Sequence, residues 1–234
     1  MTTIGVLGAG QAGSTFARAA VAAGYGVVIA NSRGPHTLRA LVGELGPRAR
    51  AATAAEAAAD SDVAFLAFPY APGQLLPVRE LAGKIVLDNN NYMSGRDGNL
   101  PEIDAGEATI HELRQRQLPE SKLVKAFSHI QFHGRMPLRV PSDALPALVR
   151  LARSRGAADR KALVASSDFP EAVAFVTRLY DDLGFDAVDS SPLAESWRSA
   201  PGTPVWAASF EGQSREELQR NLHRAVRAHR RRGV

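Results

Sequence analysis

Gly8, Gly10 and Gly13, in the stretch GVLGAGQAGSTF, stand in G-x-G-x-x-G spacing, the arrangement that lets a backbone turn cradle the pyrophosphate of a dinucleotide. The three glycines serve different ends. Gly8 permits the tight turn, Gly10 lets phosphate approach with no Cβ in the way, and Gly13 brings helix and strand together. The amides of Gln11 and Ala12 would then meet the phosphates at a helix N-terminus. About 20 residues further on, an NAD-binding chain places an acidic residue against the ribose 2′-hydroxyl. This chain has Asn31, Ser32 and Arg33 there. A carboxylate would repel a 2′-phosphate, whereas a hydroxyl and a guanidinium hold one through charge-assisted hydrogen bonds. The expected cofactor is therefore NADP(H), with His36 and Thr37 as further contacts. A plain glycine turn and a solvated loop arginine would each explain one piece, but not their order along the chain.

Other residues bear on what the cofactor would react with. Reduction of an imine or ketone needs a proton donor, and Tyr92 and His129 are the candidates, with Ser128 beside them and Asp88 as a possible partner. Their plain alternatives are a loop-capping tyrosine and a hydrogen-bonded core histidine. His129 and His133 fall four apart, but without an H-E-x-x-H glutamate or a third ligand no metal site is expected. There is no G-x-S-x-G nucleophile elbow. Trp197, Arg198 and Trp206 surround the turn Pro201-Gly202-Thr203-Pro204. They would close over a second ligand, pack in the core or meet a second subunit.

The elements that must position these groups alternate between strand and helix. Thr3 to Leu7, Gly26 to Ala30, Ala49 to Ala52, Asp62 to Phe68, Lys84 to Leu87 and Leu123 to Phe127 read as strands. Helical patterns separate them: Gln11 to Ala23, Pro35 to Leu45, Thr53 to Ala59, Gln74 to Leu81 and Thr109 to Gln117. Such alternation predicts an α/β fold, a Rossmann-type doubly wound parallel sheet with a small C-terminal α/β extension. Phe68, Pro69 and Tyr70, then Asn89, then Ser128 to Ile130, close successive strands at the carboxyl edge, where ligands collect. The connection from Tyr92 to Ser121 is long enough to be functional in its own right. A helix from Ser142, a strand at Lys161 to Ser166, a helix at Pro170 to Leu183, a strand at Phe185 to Asp189 and a charged helix from about Ser214 follow. A shift in composition near residue 140 suggests an NADP-binding domain over residues 1–140 and a smaller substrate or dimerisation region over residues 141–234.

With 234 residues and 45% hydrophobic content, the chain can bury a real core. The absence of cysteine excludes a thiol nucleophile and a disulfide framework. No apolar run approaches the ~18 residues of a membrane helix, and a first strand at Thr3 leaves no room for a signal peptide, so a cytoplasmic protein is expected. The net charge of +4 is modest. Basic residues gather from Arg220 to Arg232, but no aromatic residues interleave them, and nucleic acid is not an expected partner. The narrow apolar stripe Leu218, Leu222 and Val226 suits the domain edge or a partner subunit, and a homodimer is expected.

The segments GVLGAGQAGSTFARAA, ANSRGPHTL, VAFLAFPY, LDNNN, KLVKAFSHI and LGFDAVDSSPLAESWRSAPGTP together resemble the NADPH-dependent reductases of coenzyme F420 and their bacterial relatives, in order and spacing over nearly the whole chain. The resemblance implies hydride transfer between NADP(H) and a second, small-molecule redox ligand, a deazaflavin of F420 type being the first choice. It also implies that Ser32 and Arg33 grip the 2′-phosphate, that Pro69 and Asn89 lie beside the nicotinamide, and that Ser128 to Ile130 face the second ligand. Asn89 to Tyr92 and the long insertion after them depart from the shorter, proline-bearing segment of the F420 enzymes, at the place where that ligand would enter. An imine or carbonyl reductase and a non-catalytic NADPH sensor are the alternatives.

Overall fold

Six strands share one direction. The computed structural model describes residues 1–132 and 145–227. The chain begins β1 (Thr3–Leu7), α1 (Gln11–Ala22), β2 (Gly26–Ala30), α2 (Arg39–Leu45), β3 (Ala49–Ala51) and α3 (Ala54–Ala59). It continues β4 (Val63–Leu66), α4 (Val78–Leu81), β5 (Ile85–Asp88), α5 (Ser94–Asp97), α6 (Pro101–Asp104), α7 (Ile110–Gln117) and β6 (Lys122–Lys125). The last part holds α8 (Ala147–Arg150), β7 (Ala162–Ser167), α9 (Pro170–Asp182), β8 (Asp186–Asp189), α10 (Pro204–Ala207) and α11 (Arg215–Arg224). The strands form one sheet in the order β3-β2-β1-β4-β5-β6-β7-β8. This is the expected doubly wound α/β fold, with its order reversing beside β1.

The sequence explains the main elements. β2 is buried at every position, as a parallel strand covered on both faces must be. Successive side chains point to opposite faces, and the two largest apolar clusters divide accordingly. Val6, Phe65, Leu87 and Val124 join one cluster; Leu7, Leu66, Val86 and Leu123 join the other. Thr53 with Glu56, Thr109 with Glu112, and Ser214 with Glu217 form capping boxes that start α3, α7 and α11.

The structure adds two details to these expectations. The sheet is not parallel throughout: β7 pairs antiparallel with β6, and β8 follows β7. β7 therefore runs back toward the edge from which β6 starts. The stripe on α11 covers its own sheet, since Leu218 and Leu222 pack with Ala162, Val164, Val188 and Val205. Val226 does not continue it and is 82% exposed. The C-terminal extension shares both sheet and core with the first part, for Phe127, Leu163, Phe175 and Tyr180 belong to the same cluster as Phe16 and Phe65. His133, the start of the helix expected from Ser142, the boundary near residue 140 and the end of the basic tail lie outside the described residues.

Candidate active site

At the end of β1 the glycines do what their spacing requires. Gly8 has φ +108°, and a Cβ there would come within 2.7 Å of the Ala67 carbonyl oxygen. A Cβ on Gly13 would lie 1.8 Å from the Gly8 carbonyl oxygen, so only glycine allows α1 to pack this closely. Gly10 differs: a Cβ there meets nothing within 4 Å of protein. Its lack of a side chain therefore serves the space in front of the turn. Gly10 is also the N-cap of α1 and offers no side-chain cap, and no acidic residue occupies the first turn. The amides of Gln11 and Ala12, at an exposed end of a helix of 12 residues, are left to an anion. These residues fit a dinucleotide pyrophosphate.

At the end of β2 the loop is built by its own polar groups. Asn31 Nδ2 donates to Thr37 Oγ1 at 2.8 Å, Thr37 Oγ1 donates to the Gly34 carbonyl at 2.8 Å, and the Arg33 amide donates to Asn31 Oδ1 at 3.1 Å. Thr37 is thus a loop-former. Ser32, Arg33 and His36 are exposed, and among the described residues no carboxylate pairs with the Arg33 guanidinium. The loop presents a hydroxyl and a cation to solvent, as a 2′-phosphate site requires.

Beyond β4, Phe68 and Tyr70 do not stand alone. The Arg114 guanidinium from α7 lies 5.4 Å from the Phe68 ring and 5.1 Å from the Tyr70 ring. It is 3.3 Å from the Asp88 carboxylate and donates to Gln74 and Gln117 at 2.9 Å each. Burial pushes the Asp88 carboxyl up, against the pull of Arg114, the Asn90 amide and Lys125. Asp88 is committed to Arg114 Nε at 3.3 Å and to the Asn90 amide at 2.9 Å. Pro69 is exposed and Asn89 half-buried at the same edge, free to face a cofactor.

The proton-donor candidates separate. His129 is 3% exposed, and its Nε2 accepts the Val164 amide at 2.9 Å. Burial and the neighbouring Lys125 charge hold the ring down to about 3. It is a neutral acceptor that pins β7, and the proton-donor role expected of it is corrected on that ground. The Ser128 hydroxyl is buried without a partner among the described residues, and its carbonyl accepts Asn91 Nδ2 at 2.6 Å. The Tyr92 hydroxyl sits 2.9 Å from Asp104 Oδ1 and 3.1 Å from the Gly98 carbonyl, and it accepts the Leu100 amide at 3.3 Å. Tyr92 organises the insertion and also lines a cavity.

That cavity, of about 560 Å³, lies between the insertion and the C-terminal segment, with walls that include Tyr92, Met93, Ile103, Ile110, Trp197 and Pro201. Trp197 is flanked by Arg198 at 4.6 Å and Arg227 at 5.9 Å from its ring. Arg198 is committed to Glu195 at 2.5 Å, and Trp206 is not among the lining residues. The cavity reaches Lys125 and His111, which the sequence reading did not single out as site residues. The available signals were a lysine on the inward side of a central strand, in KLVKAF, and His111 and Arg114 on the face of α7 that carries Ile110 and Leu113. Among the described residues no cluster of His, Asp and Glu could hold a metal ion, and no helix is long and apolar enough to cross a membrane.

Residues 3–92 match the model of the family described as NADP oxidoreductase, coenzyme F420-dependent, which bears out the resemblance from β1 to just past β5. A curated relative, the protein YjhV of Escherichia coli K12, is 36% identical over 77 residues, 33% of this chain. The match spans half of that relative's length, 50%. Among solved structures, a hypothetical protein from Sinorhizobium meliloti aligns with TM-score 0.64 and 28% identity over 88% of this chain and 94% of its own. A candidate F420-dependent NADP-reductase from Arthrobacter sp. FB24 aligns with TM-score 0.64 and 24% identity over 84% and 87%. An imine reductase from Myxococcus stipitatus in complex with NADP+ shares the fold at TM-score 0.51 and 20% identity, over 89% of this chain and 57% of its own.

Proposed function

We propose, from a chain whose residues 3–92 match a family of NADP oxidoreductases, that this protein transfers hydride between NADP(H) and a second ligand held in the cavity beside Trp197. The observation that carries the reading is the placement of two complementary sites along one sheet edge. An uncapped helix N-terminus at Gly10 suits a pyrophosphate, and an aromatic-walled cavity begins at Asn91, just past β5. β1 and β5 are two strands apart in the sheet, about 10 Å at ordinary strand spacing. NADPH supplies the hydride when bound. Gly8 to Gly13 hold the pyrophosphate, Ser32 and Arg33 the 2′-phosphate, and Pro69 and Asn89 the nicotinamide end.

An F420-type deazaflavin is the leading second ligand, supported by the family match and by the cavity's apolar and aromatic walls. Transfer between two stacked rings rests on positioning, which Tyr92, Met93 and Trp197 supply. Reduction of an imine or carbonyl compound is the second reading, favoured by the buried cation of Lys125 at the cavity floor. Mixing the protein with NADPH and F420 and following the deazaflavin's visible absorbance tests the first. Loss of absorbance at the rate of NADPH consumption supports it. Unchanged absorbance, with turnover of a cyclic imine instead, replaces it by the second. Tight NADPH binding with no turnover of either would make the protein a sensor.

A further inference from the structure

We propose that Lys125 is the proton donor to the hydride acceptor, acting from the floor of the cavity beside Trp197, with His111 and Ser196 binding the same end of the acceptor. The proposal rests on the reading of the protein as an NADP(H) oxidoreductase.

Three independent features meet at this floor. Lys125 is 1% exposed yet lines the cavity, and its Nζ donates to the Ser196 carbonyl at 2.5 Å. An ammonium has three donors, so others remain for a ligand. His111, 1% exposed, also lines the cavity, and its Nε2 has no hydrogen-bond partner among the described residues. The same holds for Ser196 Oγ. Orphaned buried polar atoms are rare in folded proteins and call for a partner. Two of them beside a buried cation, under walls of Trp197, Tyr92 and Ile110, describe a receptor for a flat molecule with one polar end.

The electrostatics suit proton delivery. Asp88 on β5, His111 on α7 and His129 after β6 interact electrostatically with Lys125, Arg114 on α7 acts on the same Asp88 and His111, and Tyr92, Asp104 and Arg227 line the same cavity. Burial lowers the Lys125 ammonium to about 7, with Asp88 pulling the other way. Burial and the charges of Lys125 and Arg114 keep His111 well below its ordinary value. Lys125 can thus lose a proton near neutrality, while His111 is a neutral hydrogen-bonding residue.

The step balances for a C=N or C=O bond and for the conjugated C=C–C=N system of a deazaflavin. The acceptor carbon gains a hydride and NADPH becomes NADP+. The π electrons move to the heteroatom, which takes the proton from Lys125 Nζ. The neutral amine then regains a proton from water at the cavity mouth. The shared chemistry is a flat, conjugated electrophile whose heteroatom is its basic end.

The test uses the full chain, with NADPH and two probes assayed separately, F420 and 2-methyl-1-pyrroline. Lys125→Met should lower kcat on the productive probe by about 10²–10⁴-fold with NADPH affinity close to wild type; because it also strips buried Asp88 of a nearby cation, kcat should stay low in Lys125→Met/Asp88→Asn, where the lost melting temperature is partly restored. In wild type the rate should fall as pH rises through about 7; the variant should lose that limb. Lysines labelled with 13C at Cε give a second readout: the Lys125 signal should titrate near 7 and shift on adding the bound probe. A folded Lys125→Met with undiminished kcat, or a Lys125 signal indifferent to both probes, overturns the proposal. Absence of NADPH binding by wild type overturns the oxidoreductase reading instead, and titration shows that separately.

Discussion

Asp88 and Lys125 are cross-strand partners, the last residues of β5 and β6, and Asp88 is held from the α7 side by Arg114 at 3.3 Å. Arg114 and Asp88 are each 0% exposed, and Lys125 acts on the carboxyl through its charge without a direct ion pair among the described residues. Arg114→Met leaves the buried carboxyl without its ion-pair partner, and should cost about 3–5 kcal/mol, the usual penalty for breaking a buried pair. The double variant with Asp88→Asn should recover part of it. Urea unfolding of both decides: equal losses would show that the pair is not coupled.

The first and third glycines of the turn should part company with the second. Gly13→Ala drives a Cβ to 1.8 Å from a backbone oxygen, so it should destabilise the fold outright. Gly10→Ala adds a methyl in open space and should leave the melting temperature nearly unchanged, while dinucleotide affinity falls at least tenfold. Retained NADPH affinity in a folded Gly10→Ala would remove the pyrophosphate from this turn.

Arg33→Ala is expected to weaken NADPH by about 1–3 kcal/mol, the worth of a hydrogen bond to a charged group, and to leave NADH almost untouched. Arg33 is exposed, so its loss should not affect stability. Fluorescence titration with both dinucleotides measures the difference, and equal changes would count against a 2′-phosphate contact.

His129 makes stability depend on acid. Its folded value of about 3 lies below its ordinary 6.5, so on falling below pH 6.5 the unfolded chain takes up a proton that the folded chain refuses. Stability should therefore fall from pH 6.5 toward 3, by up to about 1.4 kcal/mol per pH unit for this group. His129→Gln keeps an acceptor for the Val164 amide and should flatten the slope by one proton's worth, the share of His111 remaining. An unchanged slope would mean that the ring is protonated in the fold.

How much was legible follows from the range of each signal. Strand and helix alternation, the glycine turn and the Asn31 to Arg33 loop are local, because spacing along the chain sets which backbone positions need a small residue or a cap. These predicted β1 to β6 with shifts of a residue or two at their ends. Phe127, expected to end a strand, instead turns at φ 58°, and its amide donates to Tyr180 from α9. A contact across 53 residues leaves no local trace.

The sequence by itself determined the α/β frame, the glycine turn before α1 and the position of a cation past β2, since each depends on neighbours in the chain. Tertiary structure alone decided that β7 runs antiparallel, that His129 is spent on a β7 amide, and that Lys125, His111 and Ser196 share one cavity floor. Those outcomes depend on which distant groups meet in low dielectric, where an unpaired donor or charge is costly. Only the folded chain shows which partner each buried polar group has found.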